Sequence, residues 1–172
     1  PIKPMIRNSK FQILNSILGF TMIELLVVVS IIGVLASLVM VSFTGSQKQA
    51  KDSQRKSDLR QYSTALEAFA NKNGGLFVAR TDGSGAAAPT TLCSDLSITT
   101  CPQDPKSKTD PSYPDYKYQS DGILSDGSAT ATNYVLWAKL ENTDFYWVVC
   151  STGKVGTAPA SGFSVSGGVC PL

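Results

Sequence analysis

The sequence contains no histidine, which removes the commonest general base, proton shuttle and metal ligand. No nucleophile–base pair stands out in its place. Gly162-Phe163-Ser164-Val165-Ser166 fails as a nucleophile elbow because Ser166 stands where the second glycine belongs. A phosphate-binding loop and zinc-type cysteine spacing are also missing. No catalytic, cofactor or metal role is therefore expected, and the chain does not read as an enzyme. Charge imbalance is small as well: 15 basic against 13 acidic residues give a formal net charge of +2, which says nothing in favour of a nucleic-acid partner.

Another absence is local. Residues 25–41 hold no charge, proline, asparagine or glutamine over seventeen positions. A bilayer core takes about 20 mostly apolar helical residues, so this run spans only if its flanks join in. Fifteen Leu, Ile, Val and Phe residues lie between positions 20 and 43. At roughly −0.3 to −0.6 kcal/mol each they favour insertion by about 4 to 9 kcal/mol. The opposing cost of Glu24 is about 2.5 to 3.5 kcal/mol at the bilayer centre and less near an end, so insertion wins. A secretory signal peptide would have an apolar region of about 7–15 residues and a small-residue cleavage site. Here the run is longer, and Ala36-Ser37-Leu38 is a poor site. An ordinary signal anchor explains the hydrophobicity but not the carboxylate of Glu24 inside its boundary.

Gly19-Phe20-Thr21-Met22-Ile23-Glu24, followed by that apolar run, resembles the processing and assembly signature of type IV pilins and their pseudopilin relatives. The likeness is strong from position 10 to about 75 and loose beyond. It implies cleavage after Gly19 by a prepilin peptidase, methylation of the new N-terminal Phe20, and an assembly role for Glu24 as the fifth residue of the mature chain. It implies a filament subunit, a homo-polymer fed by pilus or secretion assembly machinery, or a pseudopilin of type II secretion or DNA uptake. Lipid is the partner before assembly. The location implied is a single-pass cell-membrane protein with an extracytoplasmic C-terminal part, then a surface or periplasm-spanning filament. A membrane-tethered binding module is the remaining class, and it leaves Glu24 without a purpose.

The domain reading follows: residues 1–19 a basic, cleaved leader; 20–44 a transmembrane and filament-core helix; 45–172 an extracytoplasmic domain. Met5 is the expected start within the leader. Losing Lys3, Arg7 and Lys10 leaves 12 basic residues against 13 acidic ones. The positive-inside rule opposes this orientation, since Lys48, Lys51, Arg55, Lys56 and Arg60 follow the apolar run closely. Four cysteines downstream of the run, Cys93, Cys101, Cys150 and Cys170, argue for an oxidising compartment and support it.

Beyond position 43 the helical pattern persists without proline as far as Asn71. Leu59, Tyr62, Leu66 and Phe69 form one amphipathic stripe, and Gly74-Gly75 is the expected stop. One helix over about 20–72 would be roughly 78 Å long. The basic cluster at 48–60 reads as a solvated helix face, with Asp52 placed to pair with Lys56; DNA or anionic lipid is the weaker reading.

Residues 76–114 are rich in turn formers, with a short helical turn expected within 90–97. Pro102-Gln103-Asp104-Pro105 and Tyr116-Lys117-Tyr118 resemble, weakly, the segment before the sheet in major pseudopilins. Strands are expected over 116–119, 133–140 and 145–150, the last two joined by a four-residue hairpin turn. Tyr134, Leu136, Ala138 and Leu140 should share one face, and Val135 and Trp137 the other. The tail from 151, with five glycines and four serines, is expected to be irregular. Asp110, Asp115, Asp121 and Asp126 match no calcium loop and read as turn residues. The disulfides expected are Cys93–Cys101 and Cys150–Cys170, one of three pairings. The fold expected is α+β and pilin-like: the outer half of a long helix packed on an antiparallel sheet of three or four strands.

Overall fold

A computed structural model describes residues 19–82 and 84–172, leaving aside the side chains of 39–42. The leader up to residue 18, with Met5, lies outside the described residues. The chain divides into two compact units, Pro1–Val41 and Ser42–Leu172. Helix α1 covers Met22–Lys72. It ends where Gly74 and Gly75 adopt positive φ and the Gly75 N–H returns to the Ala70 carbonyl at 2.8 Å, a left-handed C-cap that glycine permits at no steric cost.

In the second unit the strands are β1 (Phe77–Val78), β2 (Ala86–Ala87), β3 (Lys117–Ser120), β4 (Ala129–Ala131), β5 (Tyr134–Lys139), β6 (Phe145–Cys150) and β7 (Val155–Pro159). All pairings are antiparallel: five strands in the order β2-β3-β5-β6-β7, and a separate pair β1-β4. The α+β class holds, but the sheet is larger than three or four strands. The expected short helical turn is a π-turn over Ala88–Leu92 followed by α2 (Cys93–Asp95).

Two strands of the main sheet go beyond the three expected, the two-residue β2 and β7 from the tail. Residues expected to be irregular pair as β7 along β6, from Phe145↔Pro159 to Val149↔Val155. As an edge strand β7 needs only one ladder of hydrogen bonds, so Gly156 and the terminal Pro159 are tolerated there.

The sheet buries both faces. Tyr134, Leu136 and Ala138 join Leu59, Tyr62 and Leu66 of α1 in one core, with Phe69 packed against its edge. Leu59, Tyr62 and Leu66 are fully buried. Each apolar side chain so buried stabilises the fold by about 1.5–3 kcal/mol. Val135 and Trp137 face the other way and pack with Val148, Ala158 and Val165, with Phe163 and Cys170 of the tail packed against them.

Candidate functional site

The N-terminal segment is built around the first turn of α1. Thr21 precedes the helix, and its hydroxyl accepts the Glu24 N–H at 3.3 Å. In return the Glu24 carboxylate accepts the Thr21 N–H at 2.8 Å and the Thr21 hydroxyl at 2.7 Å. This is a capping box: two otherwise unpaired donors at the helix start are satisfied reciprocally, with the carboxylate at the positive end of the helix dipole. Thr21-x-x-Glu24 is the sequence signature of such a cap, and it gives Glu24 a role within its own chain beside the assembly role that the resemblance implies.

Phe20 is 84% exposed, and Gly19 before it is exposed with open space around its Cα. Phe20, Ile23, Val27 and Val28 stand with Glu24 on one face of the helix around a shallow groove. Every side chain described from 20 to 38 is exposed. The hydroxyls of Ser30 and Ser37 donate to the carbonyls of Leu26 and Val34, so neither leaves a free donor on an apolar surface. Among the described residues no single helix is long and apolar enough to cross a membrane; Met22–Leu38 and Phe43–Lys72 pass that test only as a pair.

The second unit carries charge where a solvated face was expected. Arg55 is completely buried, and Asp52 and Asp58 are each 7% exposed. The Arg55 guanidinium donates to both oxygens of Asp104, at 2.6 and 2.9 Å, and to Asp52 at 2.7 Å. Glu141 lies 3.4 Å from it, and the Tyr113 ring lies 5.2 Å away. Burial works against the Arg55 charge, but the hydrogen bonds it donates to Asp104 and Asp52 outweigh it and hold the group above its ordinary range. Asp52 does not form the expected surface pair with Lys56. Its carboxylate instead accepts the backbone N–H groups of Glu141 and Asn142, at 2.8 and 3.0 Å. Lys56 sits over the Trp147 ring at 4.5 Å, and Lys51 pairs with Glu141 at 3.7 Å. The basic cluster at 48–60 is thus divided among several partners instead of forming a uniform solvated stripe.

Tyrosines complete this layer. Tyr116 donates to Asp58 at 2.6 Å, Tyr62 to the Pro102 carbonyl at 2.7 Å, and Tyr113 to the Lys139 carbonyl at 3.1 Å. Burial pushes Tyr113 up to about 12, so it remains a neutral donor at neutral pH. Burial also raises Asp58, partly countered by the Tyr116 hydrogen bond. No local pattern marks Arg55 or Asp104, which are 49 positions apart.

The structure joins Cys93 to Cys101 and Cys150 to Cys170. The four aspartates weighed for calcium serve as turn and loop acceptors. Asp110 accepts from Ser112, Asp126 from Ser128, and Asp115 from the N–H groups of Asp104 and Tyr116. Asp121 accepts four hydrogen bonds from Thr132 and Asn133.

Residues 14–40 match the family model described as the prokaryotic N-terminal methylation motif. Over 63 residues, 37% of this chain, the sequence is 41% identical to the type IV major pilin protein PilA of Myxococcus xanthus (strain DK1622). The match spans 28% of that relative's length. No solved structure is significantly similar.

Proposed function

We propose that this chain is the structural subunit of a type IV pilus-like helical filament. The observation that carries the reading is the conjunction at the start of α1: Gly19-Phe20 followed by Glu24 and an exposed apolar helix, inside a matched methylation motif. In this reading residues 1–19 are a leader removed by a prepilin peptidase after Gly19. Phe20 becomes the methylated N-terminus. Residues 20–44 hold the subunit in the membrane and then form the filament core, and 45–172 form the extracytoplasmic domain. An exposed apolar helix surface of this extent needs a cover, which lipid supplies before assembly and neighbouring copies supply afterwards.

Glu24 is the assembly residue. Cleavage creates a cation one helical turn away, the α-amino group of Phe20. Pairing with a neighbour's N-terminus compensates both charges as the helices leave lipid. It also sets the axial register, because a mis-staggered helix would leave a buried charge unpaired. The chain acts as a building block and not as an enzyme. Mass spectrometry of the chain purified from its native cells is the test. The result expected is an N-terminal Phe20 carrying one methyl group, together with surface fibres built from this chain. An intact N-terminus upstream of Gly19, or no fibres, would overturn the reading.

A further inference from the structure

Exposure along the outer half of α1 changes at a single turn. Every residue from 43 to 50 is exposed, Lys51 is half-buried, and Asp52 is the first buried residue. In proteins most helical stability comes from tertiary packing of a buried face, and this stretch of the continuous helix also contains Gly45, a poor helix former. Nothing in the stretch from 43 to 50 is buried against the domain, so local opening is expected there.

Burial against the domain begins at Asp52 and Arg55. Asp52 holds the turn between β5 and β6 through two backbone N–H groups. Arg55 grips Asp104 with a two-pronged contact, and Asp104 in turn accepts the N–H groups of Lys106 and Ser107 at 2.7 and 3.4 Å. Two loops far apart in sequence therefore hang from one turn of helix. The next fully buried side chain on α1 is Leu59, one turn further on.

We infer that the Asp52–Arg55 turn is the stop that fixes where the locally opening part of α1 ends, with Arg55 as the positioning residue that fastens both loops to it. The inference rests on the unit Ser42–Leu172 and holds whether or not the chain forms fibres. Arg55 is suited to the role because its planar fork fits a carboxylate in two places at once, which a lysine ammonium does not. Without it Asp104 would be buried with no cation, and the loop would open to hydrate it. The helix would then be free to open as far as Leu59.

Amide hydrogen exchange on the full chain in detergent micelles tests this at residue resolution. In the parent chain, protection should rise steeply at Lys56, whose N–H donates within the helix to the carbonyl of Asp52. In Arg55→Met, protection from Lys56 to Asp58 should fall by at least about tenfold, together with that of Lys106, Ser107, Glu141 and Asn142. Amides of Leu136 and Val148 fall with global stability but should stay better protected than Lys56 to Asp58 in every variant. Arg55→Lys should loosen the same residues to an intermediate degree. The inference is overturned if the parent chain shows no step near Lys56, or if Arg55→Met leaves that step in place. It is also overturned if Leu136 and Val148 are no better protected than Lys56 to Asp58, since that turn would then open only with the whole fold instead of marking a boundary.

Discussion

Arg55 and Asp104, 49 positions apart, face each other through two hydrogen bonds with both side chains wholly buried. An ion pair so enclosed contributes less than its contacts suggest, because both charges lose their water on folding. Breaking it is a different matter.

Removing either partner leaves the other charge buried and unpaired. Asp104→Ala is expected to lower stability by about 3–5 kcal/mol, and Arg55→Met by a similar amount. Replacing both together should cost clearly less than the sum, since no charge is then stranded. Urea unfolding of the two single variants and the double variant checks this. An additive double variant would mean that Arg55 and Asp104 do not act as a pair.

Asp58 behaves in the opposite sense to most carboxylates. Burial raises its pKa, and the Tyr116 hydroxyl only partly counters that. A raised value means that the folded chain holds this proton more tightly than the unfolded one. Below the unfolded value of about 3.9 the group carries no ionisation cost, and its ionisation opposes folding progressively as pH rises through that value to the folded one. Asp58→Asn keeps an oxygen to accept from Tyr116. It should therefore stay within about 1 kcal/mol of the parent at pH 7 or exceed it, and lose ground relative to the parent at pH 4. Urea midpoints at the two pH values decide it; a large loss confined to pH 7 would show that the carboxylate is stabilising.

The two disulfides should differ in what their loss exposes. Cys93 belongs to the core between sheet and helix, whereas Cys150 and Cys170 hold the tail over Val135, Trp137 and Val148. Serine replacement of either pair should cost on the order of 3 kcal/mol. Only loss of Cys150–Cys170 should open Trp137, now 7% exposed, to acrylamide quenching. The measurement is best made in a Trp147→Phe background. Unchanged quenching would mean that the tail stays in place without its staple.

Much of this architecture is legible in the sequence because it is periodic. The stripe Leu59, Tyr62 and Leu66 follows from helical spacing, and the two faces of β5 follow from alternation. The pairing of β7 does not, since the two strand formers Val155 and Thr157 are separated by Gly156 and followed by Pro159, which read as turn residues. Its order comes from the β6 edge and from the disulfide beneath it. The buried charge layer is invisible for a related reason. Arg55 reads as one more cation on a basic helix face until Asp104 and Glu141, from distant loops, close over it. Burial of a charge is a tertiary event, and only apolar burial leaves a local signature.

The carboxylate of Glu24 has one role in the structure and a second in the proposed filament, and substitution separates the two. In the structure it caps α1 through Thr21. In the proposed filament it supplies a charge to a neighbouring N-terminus. Glutamine also serves at the third helical position of a capping box, so Glu24→Gln keeps the cap and removes the charge. Thr21→Ala does the reverse: it removes the hydroxyl that makes the cap and leaves the carboxylate, at a cost of about 1 kcal/mol of helix stability. If charge pairing drives assembly, Glu24→Gln should insert and be cleaved after Gly19 normally but form few or no fibres. Thr21→Ala should still assemble. Fibre yield by electron microscopy, with membrane fractionation and N-terminal mass as controls, reads both outcomes. Fibres from Glu24→Gln at the parent's level would remove the pairing role, leaving Glu24 as a helix cap. Failure of both variants would mean that the geometry of the first turn, and not the charge alone, is what the growing filament recognises.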